Sequence, residues 1–217
     1  MRSQRTQREQ VHLLNQVIDR ALTQPTASHQ QEVLALVTHQ DVERLAERIR
    51  RRATWLGHHK RQQAQPILAT RDELVMALYS RLTPEGWANA WCDGSSRKCD
   101  STRHAGIGII LLDATGKRVT DISRYVGNKS AFDAEVAALA TVLETATGQH
   151  IDRLRVHTDS KALAQLWHER REDPRLISIH QLTSSFKRIQ IRAIPRLHNQ
   201  AADALAKQAA TSKNMVT

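Results

Sequence analysis

Apolar residues recur with a helical period along the first 86 positions. Val11, Leu14, Val17, Ile18, Ala21 and Leu22 fall on one face, and Pro25 closes that segment. Ser28 with Gln31 reads as a capping box opening a second helix through EVLALV. A third starts near Asp41, with Val42, Leu45, Ile49 and Ala53 on its apolar side and arginines crowded toward its end. Thr70 with Glu73 predicts the cap of a fourth, ELVMALYSRL. TPEG, at 83–86, then breaks the pattern and is the best linker in the chain. The expected organisation is a small all-α region over 1–86 followed by a second domain over 87–212.

From Trp87 onward the period changes. ANAWCD, AGIGIILLD and KRVTDISRYVG alternate as strands do. SAFDAEVAALATVLETA is a helix whose buried stripe is Phe132, Val136, Leu139 and Leu143. RLRVHT predicts a fourth strand, SKALAQLWHERR a helix, RIQIRAI a fifth strand and NQAADALAKQAA a closing helix. This order predicts an α/β fold, a mixed five-stranded sheet flanked by helices on both faces.

Charge narrows the partner class. Of 217 residues, 32 are Lys or Arg and 22 are Asp or Glu, a formal +10. Such a surface attracts phosphates and speeds encounter with a polyanion, so nucleic acid is the expected partner. No apolar run reaches the length of a membrane helix, which predicts no membrane association. The opening MRSQRTQREQ is basic with no apolar segment behind it, unlike a secretory signal. Two cysteines, Cys92 and Cys99, suit a reducing compartment, and a cytoplasmic location is expected. Neither a CxxC pair nor a close His pair accompanies them, which argues against zinc.

Candidate chemistry lies in four acids. Asp93, in AWCDGSS, is expected to end the first strand, with Gly94, Ser95 and Ser96 turning away from it. Glu135 lies in the opening turns of the first helix of this domain, Asp159 at the end of the fourth strand, and Asp203 near the start of the last helix. Singly, each has a structural explanation: a turn, an N-cap at Asp159 and Ser160, or acids favouring a helix dipole at Glu135 and Asp203. Asn199 is an N-cap candidate. Together, strand ends and adjacent helix starts can converge on one point, where four carboxylates would repel one another unless cations neutralised them. Hard oxygen donors of this kind suit Mg²⁺ or Mn²⁺. Two such ions support in-line phosphoryl displacement, and a small residue at Gly94 would let a nucleic-acid backbone approach.

The ordered set CDGSS, AEVAAL, HTDS and NQAADALA resembles the four motifs of the type 1 ribonuclease H family, over roughly residues 88–210. The resemblance implies a ribonuclease H-like fold and an RNA:DNA hybrid as substrate. It also implies endonucleolytic cutting of the RNA strand to 3′-hydroxyl and 5′-phosphate ends, with two Mg²⁺ ions, or Mn²⁺, at the site. Residue by residue, Asp93 resembles the acid bridging both ions, and Asp203 the acid holding the ion that carries the water. Glu135 and Asp159 resemble those holding the ion beside the leaving oxygen. Gly94, Ser95, Ser96 and Asn199 become the expected substrate contacts, and Glu135 with the backbone near Gly94 and Ser95 would sense the RNA 2′-hydroxyl.

Departures from that pattern are specific. The loop after the first motif is RKCDSTRHAG, and Ala131 and Phe132 precede the glutamate where relatives often carry polar residues. Asn128, Lys129 and Ser130 are the alternative DNA-strand contacts. Few residues separate HERRED from RIQIRAI, so a long basic handle is not expected. His198 adjoins Asn199, in the place where some relatives carry a proton-relaying histidine. In the N-terminal region, ERIRRRATWLGHHKR is the most phosphate-attractive segment, with Arg50, Arg51, Arg52, Lys60 and Arg61 as candidate nucleic-acid contacts. The rival reading is a non-catalytic hybrid- or RNA-binding module that retains the fold. All four acids are present, and a dead copy should have lost one, so the enzyme is favoured.

Overall fold

The structure is a computed structural model that describes residues 2–37, 42–99, 101–169 and 173–212. The chain divides into two compact units, Met1–Leu82 and Thr83–Thr217. No helix among the described residues is long and apolar enough to cross a membrane.

The first unit contains α1 (Arg2–Thr23), α2 (Ala27–Ala35), α3 (Val42–His59) and α4 (Ala64–Ser80). Ile18, Leu22, Val33, Ile49, Ala53, Leu56, Ile67, Leu74 and Leu78 are buried. Within α1, α3 and α4 they fall three, four or seven apart, on one face of each helix, so the apolar stripes face one another. Asp41 lies outside the described residues. Two expected caps are corrected. Thr26, not Ser28, caps α2, accepting the His29 N–H at 3.2 Å. Thr70 is six residues inside α4 and donates to the Pro66 carbonyl at 2.9 Å. Pro66 is tolerated because it stands in the first turn, where its missing N–H has no helical partner to lose.

In the second unit the strands are β1 (Ala88–Cys99), β2 (Thr102–Leu112), β3 (Arg118–Gly127), β4 (Arg153–Thr158) and β5 (Arg188–Ala193). The helices are α5 (Ala131–Gly148), α6 (Lys161–Glu169), α7 (Ile177–Leu182) and α8 (Gln200–Thr211). The sheet order is β3-β2-β1-β4-β5. β1, β2 and β3 pair antiparallel, while β4 runs parallel to both β1 and β5. This is the mixed five-stranded sheet flanked by helices that the sequence order predicts.

Alternation along β1 sorts its side chains between the two faces. Ala88, Ala90 and Cys92 join Ile107, Ile109, Leu154, Val156 and Ile191 in a core with Val136, Leu139, Val142 and Leu143 of α5. Phe132 of the expected stripe is only partly buried and carries the Arg175 guanidinium 4.4 Å from its ring centroid. Truncating a fully buried residue such as Leu139 to Ala would cost about 2–5 kcal/mol. Asn89, Trp91 and Asp93 point to the opposite face. There α8 lies so close to β2 that a Cβ on Gly108 would stand 2.1 Å from the Ala202 carbonyl oxygen. Only glycine allows that approach, and it sets the distance of Asp203 from the sheet.

Candidate active site

Asp93 does not end its strand. β1 continues to Cys99, with Asp93 opposite Gly108 and Ser96 opposite Ala105, so no turn follows the acid. Gly94 is explained by packing instead: a Cβ there would lie 2.3 Å from the Ala134 carbonyl carbon and 2.3 Å from the Glu135 nitrogen. The glycine admits helix α5, where the sequence suggested that it admitted a nucleic-acid backbone. The close approach brings Glu135 to β1, where the Gly94 backbone partly offsets the upward shift of its carboxyl.

β4 delivers the third acid. Its last residue, Thr158, is followed by Asp159, and the Ser160 hydroxyl accepts the Leu163 N–H at 3.4 Å. Ser160 thereby caps α6 and leaves the Asp159 carboxylate for other work. One oxygen each from Asp93, Glu135 and Asp159 lies within 4.8 Å of the others. Asp203 stands outside that set, in the first turn of α8. Lys207 donates to one of its oxygens at 2.6 Å and Arg196 to the other at 3.4 Å.

The cost of this convergence appears in the acid equilibria. Burial pushes the Glu135 carboxyl up to about 9, helped by the charges of Asp93 and Asp159. Asp93, 4% exposed, is raised to about 7 by burial, then by Asp159 and Asp203. Oε2 of Glu135 is buried with no hydrogen-bond partner. A divalent cation fits these residues: it would pair that oxygen and remove the repulsion that holds the protons on.

Asn199 is the largest departure from expectation at this site. It was expected to contact substrate or cap α8, but it is 1% exposed and makes no side-chain cap. Its Nδ2 donates to the Cys92 carbonyl at 2.9 Å and to Asp159 Oδ1 at 2.8 Å. Ser96 donates to the Lys129 carbonyl at 2.8 Å, and Ser130 caps α5 by accepting the Asp133 N–H at 3.1 Å. Both hydroxyls therefore hold local structure. His198 is buried in the 3-10 turn Arg196–His198 before α8.

Two cations were missed in the sequence. Arg196, its side chain 72% exposed, reaches 3.9 Å from Asp159 and 3.4 Å from Asp203. The i,i+4 spacing of Asp203 and Lys207 was a readable sign of their pairing. Behind the carboxylates His157 stacks on Trp91 at 4.7 Å, and its Nε2–H donates to Asn89 Oδ1 at 3.2 Å. Burial, with Arg155 and Arg192 nearby, pushes its imidazole down to about 3, which favours the neutral ring. Burial likewise drives the Cys92 thiol up, which excludes it as a thiolate nucleophile.

This geometry meets a sequence match. The reverse transcriptase-like family matches residues 92–209, more than half of the chain and all four acids. The chain belongs to the ribonuclease H family. It is 30% identical over 130 residues to ribonuclease HI of Halobacterium salinarum, covering 57% of this chain and 64% of that relative, less than two thirds of its length. The solved RNase H1 of Halobacterium salinarum is 28% identical, with a TM-score of 0.52 over 57% of this chain and 97% of that one. Two further structures share the fold. The N-terminal RNase H domain of a Mycobacterium tuberculosis protein, 24% identical, has a TM-score of 0.53 over 57% of this chain and 98% of that one. LC11-RNase H1, solved in complex with RNA/DNA hybrid and 22% identical, has a TM-score of 0.51 over 57% of this chain and 96% of that one. Outside the matched family lie α1 to α4 and the linker after them.

Proposed function

We propose that this protein is an endonuclease that hydrolyses the RNA strand of RNA:DNA hybrids and leaves 3′-hydroxyl and 5′-phosphate ends. The observation that carries the reading is the three-carboxylate cluster with the orphaned Glu135 Oε2, in a ribonuclease H-family chain that also retains Asp203. A relative named ribonuclease HI, and a neighbour of the same fold solved with an RNA/DNA hybrid, support the substrate class.

Asp93, Glu135 and Asp159 would hold divalent ions, with Asp203 alongside. Mg²⁺ is the first candidate and Mn²⁺ the second, because all donors are hard oxygens. When bound, two such ions supply charge neutralisation, an acidified water and stabilisation of a leaving oxygen. The chain's own residues set the geometry: Gly94 fixes the distance between α5 and β1, Asn199 aims Asp159, and Lys207 with Arg196 balances Asp203. Glu135 and the backbone at Gly94 and Ser95 would read the RNA 2′-hydroxyl, which distinguishes the strand to be cut. In the reaction a water oxygen bonds to phosphorus as the bond to the 3′ oxygen breaks.

The test is incubation of end-labelled RNA:DNA hybrid, double-stranded RNA and double-stranded DNA with the protein and Mg²⁺. Hybrid cutting confined to the RNA strand and abolished by EDTA is expected. Full cutting in excess EDTA would remove the metal role, and equal cutting of double-stranded DNA the 2′-hydroxyl role. Hybrid binding without cleavage would assign the chain to a non-catalytic module.

A further inference from the structure

Helix α3 buries Val42, Leu45, Ala46, Ile49, Ala53 and Leu56 on one side. On the other, Arg44, Arg48, Arg51, Trp55 and His58 follow at intervals of four, three, four and three residues, a single stripe along the helix. Lys60 and Arg61 continue it into the turn beyond. Between Arg44 and Arg61 the chain has seven Lys or Arg and one acid, Glu47.

Side-chain pairing divides these cations into two groups. Arg50 is committed inward, donating two hydrogen bonds of 2.8 Å to Glu47. Arg52 is held by Asp19, and its guanidinium sits 4.5 Å from the Trp55 ring centroid. Both were sequence candidates for nucleic-acid contact, and both instead brace the helical unit. Arg51 also donates to Glu47, yet its side chain remains 74% exposed. Arg44, Lys60 and Arg61 are exposed, and Arg48 is half-buried beside Asn15. Arg44, Arg48 and Arg51 line one hollow of about 420 Å³, and His58 to Arg61 line a second of about 510 Å³.

Trp55 supplies the second, independent feature. It is 47% exposed, with the His59 imidazole stacked at 4.1 Å. The Arg52 guanidinium and the His59 imidazole already lie against the ring, so its exposed part offers edge contact to a base or sugar, among cations that suit phosphates. A leucine-lined hollow of about 340 Å³, formed by Leu14, Leu36 and Leu45, adjoins Arg44 and Arg48. Along the stripe itself, however, cations outnumber the one large apolar side chain, Trp55, which suits a polyanion better than the charge-depleted centre of a protein interface. We infer that the Arg44–Arg48–Arg51–Trp55 face of α3 binds a nucleic-acid strand, phosphates along the arginines and a base or sugar against Trp55. The inference goes beyond the cleavage reaction and stands on the helical unit alone.

The experiment is fluorescence anisotropy of a labelled RNA:DNA hybrid and a labelled single-stranded DNA with the full chain in EDTA, across a NaCl series. EDTA blocks metal-dependent cutting, so failure of the nuclease reading and failure of this one are separable. The variant Arg44→Gln, Arg48→Gln, Arg51→Gln should bind at least ~10-fold more weakly, and its slope of log affinity against log salt should fall by about 2–3, because each lost phosphate contact releases fewer counterions. Trp55→Leu should weaken binding with the slope kept, and Arg50→Gln should change the slope little. Circular dichroism melting of each variant checks that the fold is intact, and Trp55→Leu carries the test alone if the triple variant melts early. Affinity and slope unchanged in both folded variants would overturn the inference. So would competition by polyglutamate as strong as by single-stranded DNA, which would make the face a dock for acidic protein.

Discussion

Asn199 clamps Asp159 to the backbone of β1. One amide nitrogen donates both to Asp159 Oδ1 and to the carbonyl of Cys92, 107 residues away in sequence, so the third acid is aimed by the strand that carries the first. Partners that orient metal-ligating carboxylates typically carry 10–100-fold of affinity or activity. Asn199→Ala should therefore lower hybrid cleavage by roughly that factor and raise the Mg²⁺ concentration at half-maximal rate. Titration of initial rate against Mg²⁺ checks it. An unchanged titration would reduce Asn199 to a helix-entry residue.

Asp93→Asn separates catalysis from stability. The amide keeps the shape but not the charge, so cleavage should fall by several orders of magnitude. Hybrid affinity should hold within about twofold, since phosphate attraction comes from Lys and Arg. The same change removes a buried charge that Asp159 and Asp203 oppose, so the metal-free variant should melt at or above the parent's temperature. Calorimetry in EDTA beside a cleavage assay reads both. A lower Tm with retained cleavage would contradict both roles.

The raised carboxyls predict a pH dependence for the metal-free protein. A carboxyl whose folded value exceeds its unfolded value favours folding at low pH and loses that advantage as pH rises through the folded value. The windows run from 4.5 to about 9 for Glu135 and from 3.8 to about 7 for Asp93. In EDTA, Tm should fall between about pH 5 and about pH 9, and added Mg²⁺ should restore most at the upper end. Glu135→Gln should flatten the EDTA curve. A flat curve for the parent would show that these carboxyls ionise without cost.

Gly94→Ala should act on two levels at once. Its Cβ meets the Ala134 and Glu135 backbone at 2.3 Å, so α5 must move away from β1. Overpacking of this kind costs typically ~1–3 kcal/mol, and Glu135 is carried off with the helix. The urea midpoint and kcat should drop together. Ser96→Ala, which loses one exposed hydrogen bond, should stay within about 0.5 kcal/mol of the parent. Full activity in Gly94→Ala would mean that Glu135 tolerates displacement.

Much of the fold was legible because period-2 and period-3.6 patterns are local: β4 was delimited from RLRVHT to the residue, and the closing helix nearly so. Element boundaries set by tertiary contact were not legible. Gly94-Ser95-Ser96 has the chemistry of a turn, but pairing with β2 extends it as strand, because the tertiary context there overrides local preference. Thr70 and Ser28 look like caps, yet helix starts upstream displaced them. At the candidate site the four acids could be named from motif order. Which of their neighbours hold them could not, because Asn199 and Arg196 act across the fold. Gly106 and Gly108, alternating in AGIGIILLD, did carry a signal, since a paired glycine face on a strand marks a backbone packed against it.

The unequal lengths of β1 and β4 have a further consequence, for solubility. β4 pairs with β1 only through Ala88–Trp91, while β2 accompanies β1 to Cys99. Past the carboxylates, one rim of β1 therefore has no strand alongside it among the described residues. An open rim of this kind is a template on which a second chain can add a strand. The protein places exposed Arg97 and Lys98 there, and like charges on an incoming copy would repel. Replacing that pair by apolar residues would leave the carboxylates untouched and turn the same rim into an aggregation seed.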